Sequence, residues 1–346
     1  MLKPALALLL AVGTPLTPAQ AREPADSAGW AGSAGWADSA RSAGWAGSAG
    51  WADSARSAGS AANPRLTARY AGLTSCGGRP QRYICSPWRL WLRGGGILPL
   101  PDAQVRALDE NGRELRLRAP IAVDPYGQFA AYFHKSTRRL AVRDLNARTV
   151  RLIPGTAGKR PSMTHLDLLV SPKGRYLVVD PDLGTQPTTV IETATGATWS
   201  LPDYAKVQGF TPDGSLLCVI LDMEETAAWR PGAPPPSGGV TVVGWSALRT
   251  TGDIIAGVSR EGRTHFVRFY AARTAMEHRR PLRFTLPRGQ EARRLDWTPS
   301  GHLTLLTLKQ PGSYVTRSLN PTTGKLRTLD TFTISPHTWD IHLAGE

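Results

Sequence analysis

The stretch HLDLLVSPKGRYLVVD (His165–Asp180), followed after a loop by TTVIETATGATWSL (Thr188–Leu201), decides the fold. Runs of Val and Leu with Tyr and Thr favour a pleated, half-buried backbone. Two tight turns interrupt them. In Ser171-Pro172-Lys173-Gly174, Pro presets φ at the second turn position, and Gly at the fourth accepts positive φ or close approach. Thr193-Ala194-Thr195-Gly196 does similar work further on. The result is a unit of about 40 residues, strand–turn–strand–loop–strand–turn–strand, that cannot bury both faces of its sheet alone and must therefore repeat.

The repeat is visible along the chain. Asp124-Pro125-Tyr126-Gly127, Thr211-Pro212-Asp213-Gly214 and Thr298-Pro299-Ser300-Gly301 copy the first turn, with weaker echoes at Ser86-Pro87 and Ser335-Pro336. Each precedes an apolar strand: QFAAYF, SLLCVIL, HLTLLTL, WRLWL and TWDIHL. The later turn returns as Asn320-Pro321-Thr322-Thr323-Gly324 and more loosely as Asp109–Gly112. Such units are the four-stranded blades of an all-β propeller. The expected blades are 82–118, 119–154, 164–202, 205–239, 240–287 and 291–330, with an inner strand at Val240–Trp245. Two pieces remain, Leu66–Leu73 and Phe332–His342. Together they make a composite last blade that joins the chain ends and removes the open edge. Seven blades are favoured and six are possible.

The S/T-P-x-G turns (Ser171–Gly174, Thr211–Gly214, Thr298–Gly301) and the T-x-T-G or T-T-G turns (Thr193–Gly196, Thr322–Gly324) resemble those of WD40-like and TolB-type β-propellers of bacterial exported proteins. The resemblance covers about residues 82–342 and implies the fold rather than an activity. Two departures stand out. The Trp-Asp dipeptide that ends WD40 blades is missing from the repeats, and Trp339-Asp340 lies in the last strand instead. TolB itself carries an α/β domain ahead of its propeller, where this chain has a low-complexity repeat.

Residues 1–21 read as a secretory signal peptide. Lys3 gives the positive start, Ala5–Val12 the short apolar core and Ala19-Gln20-Ala21 a small-x-small cleavage site. The apolar run is too short to span a bilayer. In residues 22–64, SAGWAGSAGWADSAR is written twice without change, at Ser27–Arg41 and Ser42–Arg56. Its glycines oppose a helix, and the segment reads as a disordered linker ahead of a propeller at 65–346. Cys76 and Cys85 read as a disulfide in an exported chain. Cys218, inside SLLCVIL, reads as a buried small apolar residue. The expected location is secreted or in the cell envelope, and the expected state is a monomer.

The formal charge is +14, which draws the protein towards anionic polymers. For an exported chain these are envelope or extracellular polyanions rather than intracellular nucleic acid. No G-x-S-x-G elbow, H-E-x-x-H, phosphate loop or dinucleotide fingerprint occurs, so neither a catalytic set, a metal site nor a cofactor is assigned. The blade pattern does nominate second-strand ends as one face: Arg93, His134, Asp180, Asp222 and Lys309. His134, Asp180 and Asp222 come from consecutive blades and form a candidate ligand-binding group with Lys309. Trp229, within an insertion Met223–Gly239, is a candidate binding lip over that face. The leading expectation is a non-enzymatic scaffold that binds a protein or an anionic cell-envelope polymer. The alternative is an exported hydrolase or lyase working in the funnel at the second-strand ends.

Overall fold

The computed structural model describes residues 65–345 except 77–82, 157–161, 182–185, 222–224 and 243. The expected signal peptide and linker lie outside the described residues. From Ala68 onward the chain is antiparallel sheet, in six blades of four strands, the first of which carries an extra two-residue strand, Tyr83–Ile84, on Ala68–Cys76. Blade 2 is Ile121–Val123, Phe129–Phe133, Leu140–Asp144 and Thr149–Leu152; blade 3 is Leu166–Val170, Tyr176–Pro181, Thr189–Glu192 and Thr198–Ser200. Blade 4 is Lys206–Phe210, Leu217–Ile220, Glu225–Trp229 and Val240–Thr241; blade 5 is Trp245–Leu248, Ile254–Glu261, Thr264–Ala271 and Glu277–Phe284. Blade 6 is Glu291–Trp297, Leu303–Gln310, Ser313–Leu319 and Leu326–Thr333.

Blade 1 is composite. Its inner strand is the C-terminal Thr338–Leu343, paired with Ala68–Cys76, which pairs with Trp88–Leu92 and then Ile97–Leu100. The chain ends thus close the ring as expected, and the seventh blade disappears. Leu66–Leu73 and WRLWL, which the repeat pattern places in two blades, are neighbouring strands of one. The rest of the expected 82–118 blade is a separate hairpin, Arg106–Leu108 with Glu114–Arg118. Its Leu108 carbonyl accepts from Met163 N at 2.8 Å, so the hairpin spans from blade 1 across blade 2 to blade 3.

Packing gives the same blade count. The described core falls into six apolar clusters, and each is shared by two adjacent blades. Trp88, Leu90 and Tyr132 join blades 1 and 2, while Tyr70, Phe332, Ile334 and Leu343 join blades 6 and 1. A ring held this way leaves no blade with an unburied face.

The turn after each inner strand follows the sequence expectation. Gly127, Gly174, Gly214 and Gly301 each donate their N–H to the first turn residue's carbonyl at 2.8–3.0 Å. Gly127 needs both properties of its type. Its φ is +72°, and a Cβ there would meet Ala68 O at 2.1 Å. In blade 5 the equivalent turn is Arg249–Gly252, hidden in the sequence because Arg replaces Ser/Thr and no Pro follows. That absence shifted the expected strand: Val240–Thr241 is the outer strand of blade 4, and the inner strand of blade 5 starts at Trp245.

Candidate functional site

All six inner strands run the same way, so their starting ends and the ends of the second strands share one face around the central channel. Among the described residues, three cavities open on it. The central one, about 480 Å³, is walled by the inner strands of blades 3 to 6 and reaches Gly345 at its floor. Its rim carries Lys206 and Arg293, both exposed, and Trp245, which is 40% exposed. Asp180, Gln208 and Ser246 line it as well. The Gln208 Oε1 accepts from the Ser246 N–H at 3.3 Å and from the Ser246 hydroxyl. This leaves the Gln208 amide NH₂ to donate into the cavity. Behind Ser246 sits Cys218, 3.6 Å from its hydroxyl. Burial pushes the Cys218 thiol up to about 12, so it is an inert packing group, as its sequence context suggested. A third cavity, about 330 Å³, adjoins the other side of Trp245 and is lined by Arg260, His265 and Glu291. The indole therefore stands as a partition between two open spaces.

A second cavity of about 360 Å³ lies towards blades 1 to 3 and was not foreseen. Arg116 and Arg118 come from the hairpin, His165 and Asp167 from the start of blade 3, and Asp340 and His342 from the C-terminal strand. Arg118 lies 2.9 Å from His342 Nε2 and 3.6 Å from Asp340 Oδ1. Because a guanidinium only donates, Nε2 is the accepting nitrogen and the imidazole is neutral. Burial first, and then the Arg118 charge, lower the His342 pKa to about 3. Burial raises the Asp340 carboxyl above its usual range, partly offset by Arg118.

The backbone is distorted where this cavity needs it. In the pairing with Ala68–Cys76, Ala71 faces His342 and Leu73 faces Trp339, so Asp340 and Ile341 together oppose Gly72. This is a β-bulge, a device that re-aims a side chain. Asp340 takes φ +49°, and His165 takes φ +57°. Both are non-glycine residues in the left-handed region, a conformation that costs of order 1 kcal/mol and clusters at functional positions. Gly72 has no room for more: a Cβ would sit 2.5 Å from Thr338 Cγ2. Asp167 and Asp180 are direct cross-strand partners, one lining each of the two larger cavities. Like charges in this relation are unfavourable for the sheet.

The residues nominated from sequence do not all meet. Asp180 lines the central cavity, where it accepts from the Thr188 hydroxyl at 2.9 Å. His134 turns to its own loop, with Nδ1 3.2 Å from both Ser136 Oγ and Thr137 Oγ1. Its backbone is bridged by Ala103, in the connection that leads to the hairpin. Lys309 is exposed near the end of the second strand of blade 6. Asp222 lies outside the described residues. Trp229 is a correction. It is the last residue of the third strand of blade 4, 3% exposed, packed in the core between blades 3 and 4 and donating to the Ala233 carbonyl at 3.1 Å. Its register partner, Leu217, starts the second strand, which puts Trp229 at the opposite face. Within the supposed insertion, Glu225–Trp229 is regular strand. Arg93 also belongs to the opposite face, because Trp88–Leu92 is a third strand. Cys76 and Cys85 form the expected disulfide, with Cα atoms 5.6 Å apart. The missed residues did leave a signal: His165 and Asp167 begin the stretch that reveals the repeat, and each inner strand start is by construction on the mouth.

Among the described residues, no three His, Cys, Asp or Glu side chains cluster as a metal site requires, and no helix is long and apolar enough to cross a membrane. The sequence matches no protein-family model and no functionally described protein. Similar solved structures include TolB from Acinetobacter baumannii (15% identity, 75% of this chain and 82% of that one, TM-score 0.39). A putative 6-phosphogluconolactonase from Bacteroides uniformis is similar at 13% identity, over 81% of this chain and all of that one, TM-score 0.38. One of two prolyl endopeptidases is similar at 17% identity, over 79% of this chain and 44% of that one, TM-score 0.38. The propeller is established by its own sheets and interblade cores.

Proposed function

We propose that the protein is an exported, non-enzymatic propeller whose mouth binds an anionic polysaccharide of the cell envelope. The observation that carries this reading is Trp245, a large aromatic left 40% exposed at the channel rim between Lys206 and Arg293. An indole face with polar groups at its edge suits the apolar face of a sugar ring. Asp180 and the Gln208 amide supply partners for hydroxyls, and the two cations supply attraction for acidic substituents. Arg116 and Arg118 extend the same charge towards the second cavity. Export rests on the N-terminal segment and agrees with the Cys76–Cys85 bond.

Calorimetric titration with a uronic-acid oligosaccharide, against a neutral glucan of equal length, tests the proposal. The acidic ligand alone should bind, and Trp245→Ala should weaken it at least tenfold with the melting temperature unchanged. Equal binding of the neutral glucan, or an unaffected Trp245→Ala variant, rejects it. A second reading, a hydrolase or lyase, has one observation in its favour: the cross-strand carboxylates Asp167 and Asp180, the paired acids that acid–base chemistry needs. It requires that the acidic oligosaccharide be consumed and that Asp180→Asn abolish turnover while leaving binding intact.

A further inference from the structure

At the seam where blade 6 meets blade 1, a small, partly open space of about 30 Å³ is lined by three guanidinium groups, Arg69, Arg93 and Arg294, with Asp296 and Asp330. Two of the three are fully matched. Arg69 binds Asp330 through two contacts of 2.8 Å, and Arg294 binds Asp296 through contacts of 2.7 and 2.8 Å. These are bidentate pairs that neutralise one charge each. Arg93 is not matched. Its Nε is buried and meets no acceptor among the described residues. The carboxylate charges that reach it are those of Asp330, which Arg69 already chelates, and of Asp124. Both Asp124 oxygens, however, are held by the backbone N–H groups of Tyr126, Gln128 and Phe129.

A guanidinium stays protonated, and the half-buried Arg93, with its Nε–H shut off from water, favours a counter-anion at that nitrogen. A water molecule would satisfy the Nε–H without neutralising the charge. An anion does both. A space of this size takes one water-sized occupant, which suits a halide better than a tetrahedral oxyanion or an organic carboxylate. We propose that the blade 6–blade 1 seam is a binding site for a single halide-sized monovalent anion, held by Arg93 beside the Arg69 and Arg294 pairs. Because Arg69 sits in blade 1 and Arg294 in blade 6, occupancy couples the anion to closure of the ring. An anion bound only to the folded ring raises its stability in proportion to the logarithm of concentration above the dissociation constant.

The test is thermal unfolding of the mature protein at constant ionic strength, with sodium chloride replaced stepwise by sodium gluconate, whose anion is too large for the site. The melting temperature should rise by several degrees as chloride increases, and Arg93→Met should lose that dependence. A crystal soaked in bromide should give an anomalous peak between the Arg69, Arg93 and Arg294 side chains. If Arg93→Met does not fold, the bromide peak alone decides. Equal melting temperatures in chloride and gluconate, a chloride effect that survives Arg93→Met, or bromide absent from the seam overturns the proposal.

Discussion

Leu343→Ala tests whether the ring closes through the C-terminal strand. Leu343 is 4% exposed, faces Tyr70 in the strand register, and packs in the seam cluster with Phe332 and Ile334. Truncation removes three carbon groups, about 2.4 kcal/mol of transfer free energy at about 0.8 kcal/mol each. A cavity contribution adds to this, set by how far the neighbours can collapse. Here they are a stack: Tyr70 on Trp91 at 4.8 Å, Tyr70 on Phe332 at 5.9 Å and Tyr314 on Phe332 at 5.5 Å. Stacked rings move little, so the total should be about 3–4 kcal/mol. With about 2.1 cal/mol/K of unfolding entropy per residue over roughly 280 residues, the melting temperature should fall by about 5–7 °C. Leu329→Ala, at a position 49% exposed in the outer strand of blade 6, is the control and should shift it by less than 1 °C. Scanning calorimetry of both variants decides. A fall at Leu343 no larger than at Leu329 would mean that the C-terminal strand is not part of the core, and the six-blade closure would be wrong.

Other consequences follow from single positions. Gly127→Ala should cost well over 2 kcal/mol by urea titration, because Ala68 O occupies the Cβ position. Gly301→Ala, with a similar φ of +77° and open space, should cost only about 1 kcal/mol. Replacing both Cys76 and Cys85 with Ser should lower stability by roughly 2–3 kcal/mol, as loop-closure entropy predicts for so short a loop; an unchanged melting temperature in reductant would contradict this. Asp124 gives a pH signature. Burial raises its carboxyl to about 6 from 3.8. Between those values the folded protein binds more protons than the unfolded chain, so its contribution to stability falls as pH rises from about 4 to about 6, by about 3 kcal/mol. Stability curves of the wild type and Asp124→Asn should differ by that slope, and parallel curves would refute it.

Local chemistry decided much of this protein from sequence alone. Turn residues at fixed offsets act through their own φ preferences, and alternating apolar runs need only a sheet to bury them. The five blades from Ile121 to Thr333 were therefore legible except at the turn Arg249–Gly252, which has Arg in place of the leading Ser/Thr and no Pro after it. The disulfide and buried Cys218 were legible for similar reasons, compartment and apolar context. Blade number was not, because it depends on whether Ala68–Cys76 pairs with Trp88–Leu92, a long-range hydrogen-bond choice that no local pattern encodes. The candidate site depended still more on tertiary structure. Trp229 and Trp245 are both tryptophans in strands of neighbouring blades, yet one faces the core between blades and the other the channel. A bulge at Asp340 and a hairpin reaching over blade 2 then brought Arg118, His165 and His342, far apart in the chain, to one cavity. Sequence fixes what each segment can form, but only the closed ring fixes which segment ends share a mouth.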